Sequence, residues 1–371
     1  MIYLDNAATC GFRPREVSDA VISVMNYLSA NPGRASHRLA VTGQKIIYSA
    51  REKLARLFGA EPERVIFTKN CTEALNIAIF GTVKQGDHVI TTVYEHNSVL
   101  RPLLYLKNIG KISLDIIEPA EVSPQLPSLI KQKICDKTAL IVCTAVSNVT
   151  GLTLPIKEIT QISKNYSIPL LVDGAQGAGH IPLKVDSLSS IAVAGHKGLY
   201  GIMGSGALIL GKDVELTPII FGGTGTETFD FPTTYPEKLE AGTLNLPAIT
   251  ALSVSADYVI KNIVNFGDCL YEYTFKACEF LSKINNVTLY SSPNRSGIVA
   301  LKINDKSSAE VADELSFNFD IAVRGGYHCA PLMHQYLGTK ESGLVRASFA
   351  VQNTYGELTS FLNAIKKIAK G

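Results

Sequence analysis

Charge is scarce in this sequence. Only 18% of its 371 residues are Asp, Glu, Lys or Arg, against roughly 25% in ordinary soluble domains. By contrast 46% are hydrophobic and the mean hydropathy is +0.16. Such a chain is not disordered, and its apolar surface needs cover from a large core or a partner subunit. Neither sign of charge dominates: 35 Lys and Arg against 33 Asp and Glu leave a formal +2. That balance gives no footprint for nucleic acid or an anionic membrane, so small molecules or proteins are the expected partners. No segment approaches the ~18 uninterrupted apolar residues of a membrane span. Met1 is followed by Ile-Tyr-Leu-Asp-Asn rather than a basic stretch and an apolar run, so export is not expected. The seven cysteines are odd in number and include no C-x-x-C pair. This argues against a disulfide framework or a zinc ribbon and fits a reducing cytoplasm. No internal repeat or low-complexity run is visible.

What is present is alternation. The length suggests two or three domains, and from about residue 45 short β-branched runs alternate with helix-period segments, the pattern of an α/β fold with a mostly parallel sheet. Strands are expected at Arg64–Phe67, His88–Thr91, Ile112–Ile116, Leu140–Thr144, Leu170–Val172, Ile191–Val193 and Ala207–Leu210, with helices at Gly43–Phe58 and Thr72–Phe80 among others. Gly174–Gly179 and Gly195–Gly206 follow strand ends directly, where ligands of open α/β sheets collect. The regular alternation stops at Phe221–Thr243, a stretch rich in Gly, Thr, Pro and Phe that reads as a lid or subunit-crossing segment. A helix from Pro247 to about Ile263, strands near Val287–Tyr290 and Gly297–Ile303, and a last helix from about Glu357 to Lys370 suggest a smaller α+β C-terminal domain. The basic end of that last helix suits the helix dipole.

The chemistry concentrates in Ala194-Gly-His-Lys-Gly-Leu-Tyr-Gly201, a lysine among glycines at the end of a short apolar strand. Upstream, Val172-Asp-Gly-Ala-Gln176 ends another apolar strand with a carboxylate, where an unpaired charge is costly and a cationic partner is needed. A lysine able to form a Schiff base and an acid able to pair with a protonated pyridine nitrogen are the combination that pyridoxal 5′-phosphate (PLP) demands.

With these segments the sequence resembles the class V aminotransferase-like PLP enzymes, specifically the cysteine desulfurase and selenocysteine lyase family. The resemblance runs from Ile2-Tyr-Leu-Asp-Asn-Ala-Ala-Thr9 through Phe67-Thr-Lys-Asn-Cys-Thr-Glu-Ala-Leu-Asn76, Glu95-His-Asn97 and Ser147-Asn148. It continues through Val172–Gln176, Gly195-His-Lys197, Glu240-Ala-Gly-Thr243, Arg324-Gly-Gly-Tyr-His-Cys-Ala330 and Val345-Arg-Ala-Ser348. It implies the fold type I PLP-dependent transferase architecture: a large domain over residues 15–250 with a mostly parallel seven-stranded sheet, and a small domain of residues 1–14 and 251–371. By resemblance, Lys197 carries the cofactor and moves the substrate α-proton, and Asp173 pairs with the pyridinium nitrogen. Gln176 hydrogen-bonds the ring oxygen, His96 stacks on the ring, and Asn148 sits near the ring oxygen and the substrate carboxylate. Thr72, with Cys71 beside it, meets the phosphate at a helix N-terminus, a place compatible with a plain N-cap. His196 also meets the phosphate, and Thr243 reaches the cofactor of the other subunit of a homodimer.

Ala194 and Cys71 stand where the family commonly has hydroxyl residues. Two hydrogen bonds of roughly 1 kcal/mol each are thereby lost to the phosphate, with the amides of Gly222-Gly-Thr-Gly225 as the expected compensation. Cys329 resembles the family's sulfur-accepting cysteine. Arg324 and His328 lie nearby in a glycine-containing loop expected to be mobile, and nearby cations favour a thiolate. The other six cysteines read as packing residues. Arg346 lies 17 positions after Cys329, similar to the short-loop group that includes selenocysteine lyases. It resembles the arginine that grips the substrate carboxylate bidentately, and Arg324 is likewise expected to bind substrate. His328 and His334 lack a further ligand at metal spacing, so no metal is expected. The resemblance implies conversion of L-cysteine, or L-selenocysteine, to alanine, with the chalcogen captured on Cys329 and passed to an acceptor protein. A C–S or C–Se β-lyase or an epimerase on the same fold, and a low-turnover PLP-binding scaffold, are the alternatives.

Overall fold

A computed structural model describes all residues except 29, 33–35, 119–124, 224–229 and 371. The first half runs β1 (Ile2–Tyr3), α1 (Arg15–Tyr27), α2 (Arg38–Phe58), β2 (Val65–Thr68), α3 (Cys71–Thr82), β3 (Asp87–Thr92), α4 (Asn97–Asn108) and β4 (Ile112–Ile117). Next come α5 (Leu126–Lys133), β5 (Thr138–Thr144), α6 (Ile156–Tyr166), β6 (Leu170–Asp173), β7 (Ser189–Ala194) and β8 (Gly206–Leu210). The remainder is α7 (Leu246–Leu281), β9 (Val287–Leu289), β10 (Ile298–Ile303), α8 (Ser308–Phe319), β11 (Ile321–Ala322), β12 (Arg324–Gly326), α9 (Pro331–Tyr336), β13 (Leu344–Ser348) and α10 (Tyr355–Ile368).

Seven strands form one sheet in the order β2-β8-β7-β6-β5-β3-β4. Only β8 runs antiparallel to its neighbours. Strand residues alternate between two cores, as the two-residue period of a strand requires. Ile141, Cys143, Ile191 and Val193 join one cluster with Leu54 and Phe58 of α2 and Ile159 of α6. Leu140, Val142, Ala192 and Ala194 join the other with Leu75 of α3 and Leu103 of α4. A sheet covered on both faces explains the near-continuous apolar runs in these strands. It also places the C-terminal ends of β3, β5, β6 and β7 along one edge. Beside Ala194, Gly206 begins β8, and a Cβ there would lie 2.7 Å from the Asn70 carbonyl carbon, so only glycine lets the start of α3 approach that edge.

A four-stranded antiparallel sheet, β12-β13-β10-β9, carries the C-terminal part. The chain start returns to it: β1 pairs with β11, and Leu4 shares a core with β10, α8, β13 and α10. Helix α7 continues well past the expected end near Ile263. Leu246 to Phe266 packs in the first core and Leu270 to Leu281 in the third. The glycine that interrupts its sequence pattern, Gly267, has a packing reason, since a Cβ there would sit 2.8 Å from the His180 carbonyl oxygen. Helix α2 begins earlier than expected because His37 caps it, its Nδ1 accepting the Ala40 N–H at 3.3 Å.

Candidate active site

Four strand ends and two helix starts converge on a cavity. Its lining includes Cys71, Thr72, His96, Asn148, Asp173, Gln176, His196 and Lys197, every cofactor-side residue expected from the sequence except Thr243. Thr243 is exposed on a different part of the surface, within 3.4 Å of Asn31 Nδ2. Larger clefts exist elsewhere but do not gather these groups.

Lys197 stands in the turn after β7. Among the described residues its amine makes no hydrogen bond or ion pair, and burial pushes its pKa below the usual lysine value, with Asp173 opposing. Asp173, the last residue of β6, is 3% exposed; its Oδ1 accepts the Ala175 N–H at 2.9 Å and faces the Cys71 thiol at 3.5 Å. Gln176 donates through Nε2 to the Ala7 carbonyl at 2.8 Å, which ties the chain start to the cavity. His96 caps α4, its Nδ1 accepting the Ser98 N–H at 3.0 Å. Burial lowers its pKa to about 4, so the ring is neutral near pH 7. His196 is likewise lowered to about 4 by burial and by Lys197.

The start of α3 differs from the expectation for Thr72. Asn70 is the N-cap, its Oδ1 accepting the Glu73 N–H at 2.9 Å. Thr72 lies inside the first turn, and its hydroxyl meets Ser98 Oγ at 2.8 Å. The free amides of that turn and this hydroxyl pair face the same cavity.

The second group of residues enters from β12, β13 and the loop between β12 and α9. Arg346 is 1% exposed. Its Nη2 meets Asp5 Oδ1 at 3.0 Å and its Nη1 donates to the Asn148 carbonyl at 2.8 Å. Arg324 Nη2 lies 3.9 Å from Cys329 Sγ. Two hydrogen bonds tie the thiol loop to the large-sheet side: Asn148 Nδ2 donates to the His328 carbonyl at 2.6 Å, and Asn97 N–H donates to the Cys329 carbonyl at 2.7 Å. His328 and Cys329 both adopt left-handed backbone, with φ of 51° and 57°, a conformation that costs non-glycine residues energy and recurs at functional sites. Among the described residues, Asn148 Oδ1, His196 Nδ1, His328 Nδ1 and Arg346 Nε are buried without hydrogen-bond partners. Unpartnered buried polar groups are costly: Arg346 Nε–H and a protonated His196 Nδ1 would donate to an anionic guest, and Asn148 Oδ1 would accept from a donor on it. The residues therefore fit a phosphate-bearing cofactor and a carboxylate substrate.

The aminotransferase class-V family model matches residues 2–361. The chain belongs to that family. It is 33% identical over 384 residues to a probable cysteine desulfurase of Methanothermobacter thermautotrophicus, covering 99% of this chain and 94% of the relative. A cysteine desulfurase of Escherichia coli is 30% identical, covering 99% and 93% respectively. Among solved structures, the apo cysteine desulfurase of Thermococcus onnurineus superposes with a TM-score of 0.91 at 30% identity, over 100% of this chain and 95% of that one. The sheet and helices described above are thus those of this class-V fold.

Within this class-V site, two residues escaped the sequence reading. Glu95 is wholly buried; its Oε1 accepts from Thr92 Oγ1 at 2.6 Å and from the Thr144 N–H at 3.0 Å. Burial raises its carboxyl to about 8, so it is largely protonated at neutral pH and joins the ends of β3 and β5 as a neutral group. Its position directly before His96 was the available signal. Asp5, the partner of Arg346, had none beyond its place in the opening segment. The reading of six cysteines as packing residues needs correction at one of them: Cys10, Cys71, Cys143 and Cys278 are buried and the half-buried Cys269 packs against the third core, but Cys135 is exposed. Thr224 and Gly225, expected to compensate for Ala194 and Cys71, lie outside the described residues.

Proposed function

We propose that this chain is a PLP-dependent cysteine desulfurase that converts L-cysteine to L-alanine, captures the sulfur as a persulfide on Cys329, and also accepts L-selenocysteine. The observation that carries the reading is the position of Asn148. It lines the cavity with Lys197 and Asp173 while holding the His328 carbonyl, so the thiol loop stands at the same cavity as the cofactor-binding groups.

PLP, when bound, supplies an electron sink for the substrate α-carbon. Lys197 anchors it and, as a free amine, takes and returns the α-proton. Asp173 keeps the ring nitrogen protonated, Gln176 meets the ring oxygen, and the neutral His96 ring covers one face. Thr72, His196 and the first-turn amides of α3 hold the phosphate, with Cys71 at its rim. Arg346 and Arg324 bind the substrate carboxylate, aided by Asn148, and Asp5 keeps the Arg346 fork oriented until substrate arrives. Cys329 Sγ, 3.9 Å from Arg324 Nη2, attacks the substrate sulfur as its thiolate. An S–S bond forms as the C–S bond breaks, its electron pair stays with the carbon skeleton, and a proton completes alanine. A thiol-bearing acceptor protein then takes the persulfide sulfur.

The working form is a homodimer in the cytoplasm. Phe221 and Phe231, 65% and 75% exposed, meet edge-to-face 5.7 Å apart in the segment leading to Thr243, and cover by a second copy brings Thr243 to the partner's phosphate. Among the described residues no helix is long and apolar enough to cross a membrane. We assign residues 15–250 to the cofactor domain and 1–14 with 251–371 to the thiol-bearing domain. The test is alanine and persulfide formation from cysteine by wild type, Cys329→Ala and Lys197→Ala. Loss of both products in Lys197→Ala, and loss of both in Cys329→Ala, supports the reading. Full alanine formation by Cys329→Ala means a β-lyase with no thiol intermediate, and PLP binding by wild type without turnover means a scaffold.

A further inference from the structure

The opposite edge of the large sheet, where the strands begin, carries a second cysteine in ordered company. His88 near the start of β3 is 6% exposed. Its Nδ1 lies 2.9 Å from Thr138 Oγ1 and 3.6 Å from Cys135 Sγ, and its Nε2 lies 3.5 Å from Asp115 Oδ2 on β4. Thr138 Oγ1 also lies 3.6 Å from the sulfur and accepts the Cys135 N–H at 2.9 Å. Cys135 itself is exposed. A thiol and a hydroxyl on one ring nitrogen and a carboxylate on the other form the nucleophile, base and orienting group that activated cysteines share. With Nε2–H directed at Asp115, Nδ1 is left as the acceptor that can take the thiol proton, directly or through the Thr138 hydroxyl. The other charge at the site is Lys133, whose Nζ lies 3.8 Å from Asp115 Oδ2 and shares that carboxylate; Lys137 contributes its backbone carbonyl to the His88 N–H.

We propose that Cys135, His88 and Asp115 form a thiol-modification site, separate from the PLP-class site, whose ligands are low-molecular-weight disulfides. His88 takes the Cys135 proton as the sulfur attacks one sulfur of the disulfide. A new S–S bond forms on Cys135, the old one breaks, and the departing thiolate carries away the electron pair and takes the proton back from His88. No external oxidant is required, because the disulfide is itself the oxidant. The site does not depend on the desulfurase reading.

The experiment treats the intact protein with dithiodipyridine and follows each cysteine by peptide mass mapping. A free thiol is only a few per cent ionised near neutral pH, so activation leaves room for about a tenfold gain. Cys135 is expected to form its mixed disulfide about tenfold faster in the folded protein than in the urea-unfolded chain. His88→Gln should remove that gain, and Asp115→Asn should remove part of it, while the rate at Cys329 and alanine formation from cysteine stay unchanged. Asp115→Asn lies at the surface and keeps the test decisive if His88→Gln fails to fold. Equal rates in folded and unfolded chains, or a Cys135 rate indifferent to both substitutions, would overturn the proposal.

Discussion

The two halves of the candidate site are anchored in opposite ways. Asp173, Lys197 and His96 follow directly on the ends of buried parallel strands, where strand pairing and two hydrophobic cores fix the backbone before any side chain is placed. Cys329 stands instead on a short loop with two successive left-handed residues, held by hydrogen bonds from Asn97 at the start of α4 and Asn148 in the loop after β5. Strain of this kind costs on the order of 1–3 kcal/mol per residue and persists only where surroundings impose it. The sheet half should therefore fail only when a functional group is removed, whereas the thiol half should be detuned by losing a neighbour.

The sharpest contrast is between Lys197→Ala and Cys329→Ala. Lys197→Ala is expected to lower alanine formation by about 10³-fold or more, the loss typical of a missing nucleophile and base, and to abolish the absorption band of lysine-bound cofactor. Cys329→Ala should leave that band intact while sulfur capture is lost. An unchanged band in Lys197→Ala would break the distinction between the halves.

Glu95 tests the sheet half through stability. Its carboxyl is raised to about 8 by burial and sits near the ordinary ~4.3 in the unfolded chain. Below that lower value both states hold the proton and no stability is lost. Between it and about 8 the folded state must bind a proton that the unfolded chain has released, so stability falls as pH rises and levels off above the folded value. Glu95→Gln, which keeps the acceptor for Thr92 and Thr144, should remove this slope. At pH 8 the variant should gain on the order of 4–5 kcal/mol relative to wild type, read by urea unfolding at pH 5 and pH 8. Parallel curves would show that the native carboxyl is ionised throughout.

Much of the sheet half was legible because buried parallel strands write themselves as apolar runs. All seven strands of the large sheet fall within two residues of the expected bounds, and the residues marking their ends meet in one cavity. The thiol half was less legible. β12 is Arg-Gly-Gly, without apolar alternation, and its register against Arg346 on β13 is set by contacts remote in sequence. The strained backbone of His328 and Cys329, the pairing of Asp5 with Arg346 and the continuation of α7 past Gly267 have the same origin: each is decided by a neighbour that local pattern does not name. The capping of α3 by Asn70 rather than Thr72 was a choice among adjacent polar residues.

Asn148→Ala removes one pin from the thiol loop without touching the thiol. A lost buried hydrogen bond costs ~1–3 kcal/mol, so sulfur capture should fall by about tenfold and amide exchange across 327–330 should quicken, while the lysine-bound cofactor band persists. Unaltered exchange would mean that the Asn97 contact alone holds the loop.

The smallest effect concerns the phosphate rim. Burial holds the Cys71 thiol well above the ordinary cysteine range, so it stays a thiol and its single proton is directed at Asp173 Oδ1. A thiol is a weak donor, so this position gives the first turn of α3 little beyond its backbone amides. Cys71→Ser is nearly isosteric and supplies a stronger donor at the same place. If the hydroxyl turns to the phosphate, PLP affinity should rise by about fivefold, equivalent to ~1 kcal/mol, measured by titrating apoprotein with PLP. An unchanged affinity would place the hydroxyl on Asp173, where the thiol already points, and would show that Thr72, His196 and the helix amides complete the cup without it.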